Sequence, residues 1–285
     1  MEKFKNFFAG TNRRLRITTA IIMLSLAYFI VKIGYWGVCS LGLVLALAMI
    51  YEFDKMFNKK LGFKFVWDTI SIVGVLIAFC LNRIMWNLPN YYFSSILIGI
   101  FCFSMLVNIA LDKKHWFLES VPSVYIGFGI MSLLYAYLYS SIVAVLYMFV
   151  ITISTDSGAY LIGSALGGPK IWPKISPKKT WSGSIGGTLC AFGFGTSFII
   201  AILWKEGMDN FYPIALWGMI SIILSICSQL GDFFESWLKR LNDIKDSSQL
   251  IPGHGGVLDR FDSILFVAPI IALIIGFTKI GMLIL

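Results

Sequence analysis

About nine stretches of this chain run for roughly 18 or more residues with hardly a charge, the length an α-helix needs to cross a ~30 Å hydrocarbon core. They lie near 17–32, 35–51, 65–82, 93–111, 118–138, 141–160, 184–204, 212–231 and 263–283. A chain so divided is expected to be all-α, a polytopic integral membrane protein with about nine transmembrane helices. Composition agrees, since 58% of the residues are hydrophobic and only 13% charged, a balance that places most helices against lipid or one another.

The basic residues orient the chain, because Lys and Arg near helix ends are retained on the cytoplasmic side. With nine spans and the N-terminus inside, 19 of the 23 Lys and Arg fall on inner segments, leaving Lys32, Arg83, Lys205 and Lys279 outside. This predicts a cytoplasmic N-terminus, an outer C-terminus and an inner face that carries the net charge of +8. Such a face suits anionic headgroups or a polyanionic soluble substrate. Nucleic acid finds no long basic tract or soluble domain to hold it. The opening MEKFKNFFAGTNRRLR has no small-residue cleavage site after its first apolar run, so it reads as an interfacial segment leading to an uncleaved helix.

Residues 1–140 offer apolar helices and short loops, the expected scaffold; Asp68 and Glu119 near inner helix ends read as solvated or capping acids. Residues 141–285 form the expected catalytic region, with two inner loops dense in Gly, Pro, Lys and Asp. The five cysteines (Cys39, Cys80, Cys102, Cys190, Cys227) all fall in apolar segments without C-x-x-C spacing, so neither a zinc site nor a disulfide framework is indicated. No internal repeat with paired Gly or Pro breaks appears, which counts against an inverted-repeat transporter. P-loop, G-x-S-x-G and H-E-x-x-H patterns are absent as well.

In QLGDFFESWLKR, helical spacing puts Asp232, Glu235, Ser236 and Lys239 on one face. LDRFDS places Asp259 and Asp262 at i, i+3 at the start of the last span. Acids at a helix N-terminus can simply complement its dipole, but so many carboxylates at a membrane edge call for cationic partners. Oxygen ligands without a Cys or His cluster suit a hard ion such as Mg²⁺, held between one or two carboxylates and substrate phosphates. His254 stands among Gly253, Gly255 and Gly256, glycines that let backbone amides approach an anion. PKISPKKTWSG adds Lys174, Lys178 and Lys179, point charges able to bind phosphate or ordinary residues of an inner loop. TDSGAY places Asp156 near the inner end of the sixth span.

The run SWLKRLNDIKDSSQLIPGHGGVLDRFD, residues 236–262, resembles the signature of phosphatidate cytidylyltransferases, also called CDP-diglyceride synthases. Ser236, Lys239, Arg240, Lys245, Asp246, His254, Gly255, Gly256, Asp259, Arg260 and Asp262 all fit its pattern without gaps. The segments around Asp156 and SPKKTW extend the likeness over roughly residues 150–265; Ser182 departs from it, standing where the family more often has Glu.

The resemblance implies a membrane enzyme, often dimeric, that makes CDP-diacylglycerol and pyrophosphate from CTP and phosphatidate with Mg²⁺, a second cation remaining open. It implies Asp232 and Asp259 as metal ligands and, with Lys239 and Asp246, as catalytic residues. Lys178, Lys179, Arg240, Lys245, His254, Gly255, Gly256, Arg260, Asp262, Ser236 and Asp156 would bind substrate. The expected place is the inner (cytoplasmic) membrane with the site facing the cytoplasm. The alternatives are another CTP-dependent lipid kinase and a transporter of an anionic lipid.

Overall fold

A computed structural model describes residues 18–57 except 20, 24 and 27, then 69–79, 99, 102–103, 105–110, 116–207, 211–253 and 255–277. His254, Asp68, the side chain of Glu119, the interfacial start, both ends of the expected span at 65–82 and about half of that at 93–111 lie outside these residues. Within them the chain is mostly helical, with one short hairpin and an irregular loop at 241–257 between the last two helices. The principal helices are α1 (Tyr35–Met56), α2 (Trp116–Val121), α3 (Phe128–Tyr139), α4 (Ile142–Leu166), α5 (Trp181–Lys205), α6 (Phe211–Arg240) and α7 (Leu258–Phe277). Strands β1 (Lys170–Trp172) and β2 (Ser176–Thr180) pair antiparallel.

Among the described residues five helical stretches are long and apolar enough to cross a membrane: Tyr35–Met56, Pro122–Tyr139, Ile142–Leu166, Trp181–Lys205 and Pro213–Arg240. The all-helical membrane character read from the sequence is therefore present in the structure. Cys39, Cys102, Cys190 and Cys227 form no disulfide.

The chain packs as two compact units, and the first gathers residues 1–88, 95–127 and 242–260. Its α1 buries Cys39, Ala46, Met49, Ile50, Phe53 and Met56, the three-to-four-residue spacing of one helix face. That helix packs against a π-helical turn, Pro122–Gly127, which joins α2 to α3. Pro122 brings no N–H to the helical ladder, and the turn starts where that donor is missing.

The second unit holds residues 89–94, 128–241 and 261–285. Tyr147, Met148 and Ile151 of α4, Ala191 and Ile199 of α5, Trp217 and Leu224 of α6 and Val267 and Ile271 of α7 form one buried core. The Tyr147 hydroxyl inside it is satisfied where it sits: Oη donates to the Trp217 carbonyl at 2.9 Å and lies 2.7 Å from Ser221 Oγ. Closer to the polar end of these helices, Thr155 donates to Ser225 at 2.9 Å, and Gln229 Nε2 donates to Thr188 at 3.1 Å. This polar ladder fixes α4, α5 and α6 against one another beside Asp156 and about one turn before Asp232.

The hairpin lies within a segment read from the sequence only as a loop rich in Pro and Lys. Lys170 pairs with Thr180 and Trp172 with Ser176, with a bulge between them. Its end passes directly into a helix: Thr180 Oγ1 accepts from Gly183 N at 3.1 Å and so caps α5.

Candidate active site

Four elements of the second unit bring charged groups together. Lys179 on β2 forms an ion pair with Asp232 on α6, and both side chains are about a quarter exposed, at 27% and 29%. Its ammonium also stands 4.1 Å from the centroid of the Phe233 ring, a cation–π contact. The hairpin that carries it is pinned from α6, since Arg240 Nε donates to the Ile175 carbonyl at 3.3 Å. Thus one helix supplies both the acid and the anchor for the strand that bears the base.

Asp262 joins this group through backbone proximity. A Cβ on Gly231 would stand 2.5 Å from the Asp262 carbonyl oxygen, so only glycine lets α6 approach the start of α7 so closely. The carboxylates of Asp156, Asp232 and Asp262 act on one another electrostatically, with Lys179 opposing the charge at Asp156 and Lys239 that at Asp262. Asp262 accepts from Ser263 N at 2.7 Å, and Ser236 Oγ donates to Asp232 at 3.3 Å. Lys239 is paired with Glu235, a fully buried acid one turn earlier on α6.

The first unit holds the other half of the signature. Gly253 and Gly255 adopt φ of 78° and 86°, the left-handed region that favours glycine, and Ile251 N donates to the Gly255 carbonyl at 2.9 Å to close the turn. Asp259 faces back along this loop: its Oδ2 accepts from Gly256 N at 2.9 Å, Ser247 N at 3.0 Å and Ser247 Oγ at 3.0 Å. Lys245, Asp246 and Arg260 are exposed.

The structure thus gathers Asp156, Lys179, Asp232, Ser236, Lys239, Arg240 and Asp262 in one unit, and Lys245, Asp246, Gly255, Gly256, Asp259 and Arg260 in the other. Lys178 is exposed on the hairpin, and Lys170 Nζ donates to its carbonyl at 3.4 Å. Ser182 donates to the Gly167 carbonyl and so ties the end of α4 to the start of α5. This accounts for a hydroxyl at a position where the resemblance led one to expect Glu.

Sequence reasoning passed over Glu52. It is fully buried on α1, and it accepts from Val257 N at 2.8 Å and Leu258 N at 2.7 Å. The available signal was YEFDK, two acids closing an otherwise apolar run.

The donor set bears on Mg²⁺. Among the described residues no three His, Cys, Asp or Glu side chains converge as a cage. Mg²⁺ does not require one, because it takes one or two carboxylates and completes its shell with phosphate and water. The carboxylates present are hard oxygen donors that already attract a cation, the ammonium of Lys179 on Asp232. The residues fit such an ion in kind.

Comparison with known proteins draws on the whole sequence. Residues 14–278 match the Cytidylyltransferase family. The chain is 32% identical over 270 residues to the phosphatidate cytidylyltransferase of Brucella suis, covering 92% of this chain and 93% of that one. It is 35% identical over 274 residues to the protein of the same name from Staphylococcus haemolyticus, covering 92% and 98%. The likeness spans both units, the apolar helices and the signature loop together, and the chain belongs to the cytidylyltransferase family.

Proposed function

We propose that this protein is a phosphatidate cytidylyltransferase, transferring CMP from CTP to phosphatidate to give CDP-diacylglycerol and pyrophosphate. One observation carries the reading: carboxylates and lysines cluster at the polar ends of apolar helices, in a chain about a third identical to enzymes of that name along nearly its whole length.

In this reaction a phosphate oxygen of phosphatidate attacks the α-phosphorus of CTP. The bond from that phosphorus to the β-phosphate oxygen breaks, and pyrophosphate departs with the electron pair. The attacking oxygen is already an anion, so no Ser or Cys nucleophile and no base to activate one is required. The obstacle is repulsion between two anionic substrates, and what lowers it is positioning and fixed positive charge. Lys178, Lys179, Arg240, Lys245 and Arg260 are the cations that would hold the phosphates, with Lys239 kept in place by Glu235. Ser236 would steady the Asp232 carboxylate, and Asp156 and Asp262 would add to the negative charge that retains the lysines. His254 with Gly255 and Gly256 would cradle phosphate, and a role for Asp246 rests on the signature alone. Asp232 and Asp259 are the residues that would hold Mg²⁺, which when bound would screen the approach of the two substrates and take up charge on the departing pyrophosphate.

A lipid enzyme of this kind draws one substrate from the bilayer and the other from water. That supports a site at the cytoplasmic face of the inner membrane; nine spans with an inner N-terminus and an outer C-terminus are supported by the distribution of Lys and Arg, and a homodimer by the resemblance alone. With α-labelled CTP and phosphatidate, purified protein is expected to yield labelled CDP-lipid and one pyrophosphate per turnover. A labelled-CTP assay that gave no CDP-lipid while γ-labelled CTP phosphorylated a lipid would establish a kinase instead; movement of either substrate without chemistry would establish a transporter.

Orientation has its own test. Gln249 is exposed on the signature loop. A Gln249→Cys variant lacking the native cysteines is expected to react with an impermeant thiol reagent only from the cytoplasmic side of oriented vesicles, and reaction from outside would reverse the topology.

A further inference from the structure

We propose that Glu52 is a positioning residue for the signature loop: from α1 its buried carboxylate holds Ser247, Ser248, Val257 and Leu258 in the arrangement that presents Asp259 and Gly256 to CTP. The proposal rests on the functional reading above, but the contacts behind it are within the first unit. Glu52 is 0% exposed, and a carboxylate so buried must be compensated by donors. Four supply it, all from the loop. Val257 N reaches Oε1 and Leu258 N reaches Oε2, while Ser248 Oγ donates to Oε1 and Ser247 Oγ lies 3.3 Å from Oε2.

Those two backbone amides belong to the residue just before α7 and to its first residue, where N–H groups have no partner within the helix and negative charge is favoured. Glu52 therefore caps a helix more than 200 positions away in sequence. Ser247 carries the influence further: its hydroxyl oxygen lies 3.3 Å from Glu52 Oε2 and 3.0 Å from Asp259 Oδ2, and it has one proton to share between them. Gly256 fits the same arrangement, because a Cβ there would stand 1.9 Å from Ser247 Oγ and 2.8 and 2.9 Å from the two Glu52 oxygens. The loop has closed around this carboxylate with no room for a side chain.

Gln at position 52 offers one acceptor oxygen where two are used and turns an N–H₂ toward a backbone N–H. The loop then loses part of its hold and spends less time in the competent arrangement. Apparent affinity falls by the fraction of competent protein, whereas the complex, once formed, turns over as before.

The test measures steady-state kinetics in CTP together with hydrogen exchange over residues 247–258, using full-length protein in detergent. Glu52→Gln is expected to raise KM for CTP about 10-fold or more, with kcat within about 3-fold. Val257 and Leu258 should exchange faster while residues 181–205 keep their protection. Glu52→Asp, which keeps both acceptors, should recover part of the loss. Ser248→Ala leaves the carboxylate and both backbone bonds, so it folds even where Glu52→Gln does not; it is expected to show the same two changes in smaller measure.

An unchanged KM and unchanged loop exchange in an active variant overturns the proposal. So does a loss confined to the amount of folded protein, the mark of a purely structural role. A wild-type protein that makes no CDP-lipid, by contrast, sinks the functional reading, and faster loop exchange in Glu52→Gln alone would still support the hold on the loop.

Discussion

Asp232→Asn and Asp259→Asn are each expected to insert and fold yet to lose at least ~10²-fold in turnover, as removal of a charged group from direct contact with the reacting phosphates or their metal commonly does. Asn preserves size and helix packing while removing the negative charge. The two variants should differ in a second respect. Asp232 accepts from the side chains of Lys179 and Ser236, so its replacement leaves the backbone around it untouched. Asp259 accepts from two backbone amides, Ser247 N and Gly256 N, and an N–H₂ facing them should loosen the loop as well. CTP turnover measured against Mg²⁺ concentration in each variant decides the matter. Partial recovery at high Mg²⁺ is expected for Asp232→Asn, and full activity in either variant removes that aspartate from the mechanism.

The apolar half of this protein was legible because lipid imposes a length and a composition that a single sequence displays. The runs read near 141–160, 184–204 and 212–231 correspond to α4, α5 and α6, which extend further into polar sequence than hydropathy alone suggests. The extension of α6 to Arg240 was signalled differently, by acids and cations recurring at helical spacing. What hydropathy does not carry is the hairpin. KIWPKISPKKT has two prolines and four lysines, and it becomes a β-ribbon by leaning on α6 through Arg240 and Phe233.

The site was legible as a list of residues and not as an arrangement. The i, i+3 spacing of Asp259 and Asp262 at the start of a helix lets both carboxylates point the same way. In the structure Asp262 lies with Asp156 and Asp232, while Asp259 is engaged by the turn that precedes it. The backbone N–H groups of Ser247 and Gly256 in the preceding loop decide the second outcome, and the close approach allowed by Gly231 decides the first. Glu52 escaped notice for a related reason. Its partners are 195 to 206 positions distant, and no periodicity or local motif encodes a contact of that separation.

The same distinction between a residue type and its arrangement separates two adjacent lysines, and Lys179→Ala is expected to lower kcat/KM for CTP by about 10–100-fold, the value of one charge-assisted contact of roughly 1.5–3 kcal/mol. Lys178 and Lys179 are alike in the sequence, and either could be an ordinary inner-loop cation. In the fold Lys178 is exposed, whereas Lys179 is half-buried, paired with Asp232 and laid over Phe233, whose ring is backed by Trp172 at 6.3 Å. An ammonium held on two sides has little rotamer entropy left to lose when it meets a phosphate, so its removal should cost more than that of its neighbour. Lys178→Ala is accordingly expected to lose no more than about 3-fold. Lys179→Arg keeps the charge but brings a planar fork to a place shaped for a compact ion, and should recover only part of the activity. Kinetics of the three variants at saturating phosphatidate provide the comparison. Equal losses at positions 178 and 179 would mean that charge near the membrane surface matters and its placement does not; wild-type kinetics in Lys179→Ala would return this lysine to the general population of inner-loop cations.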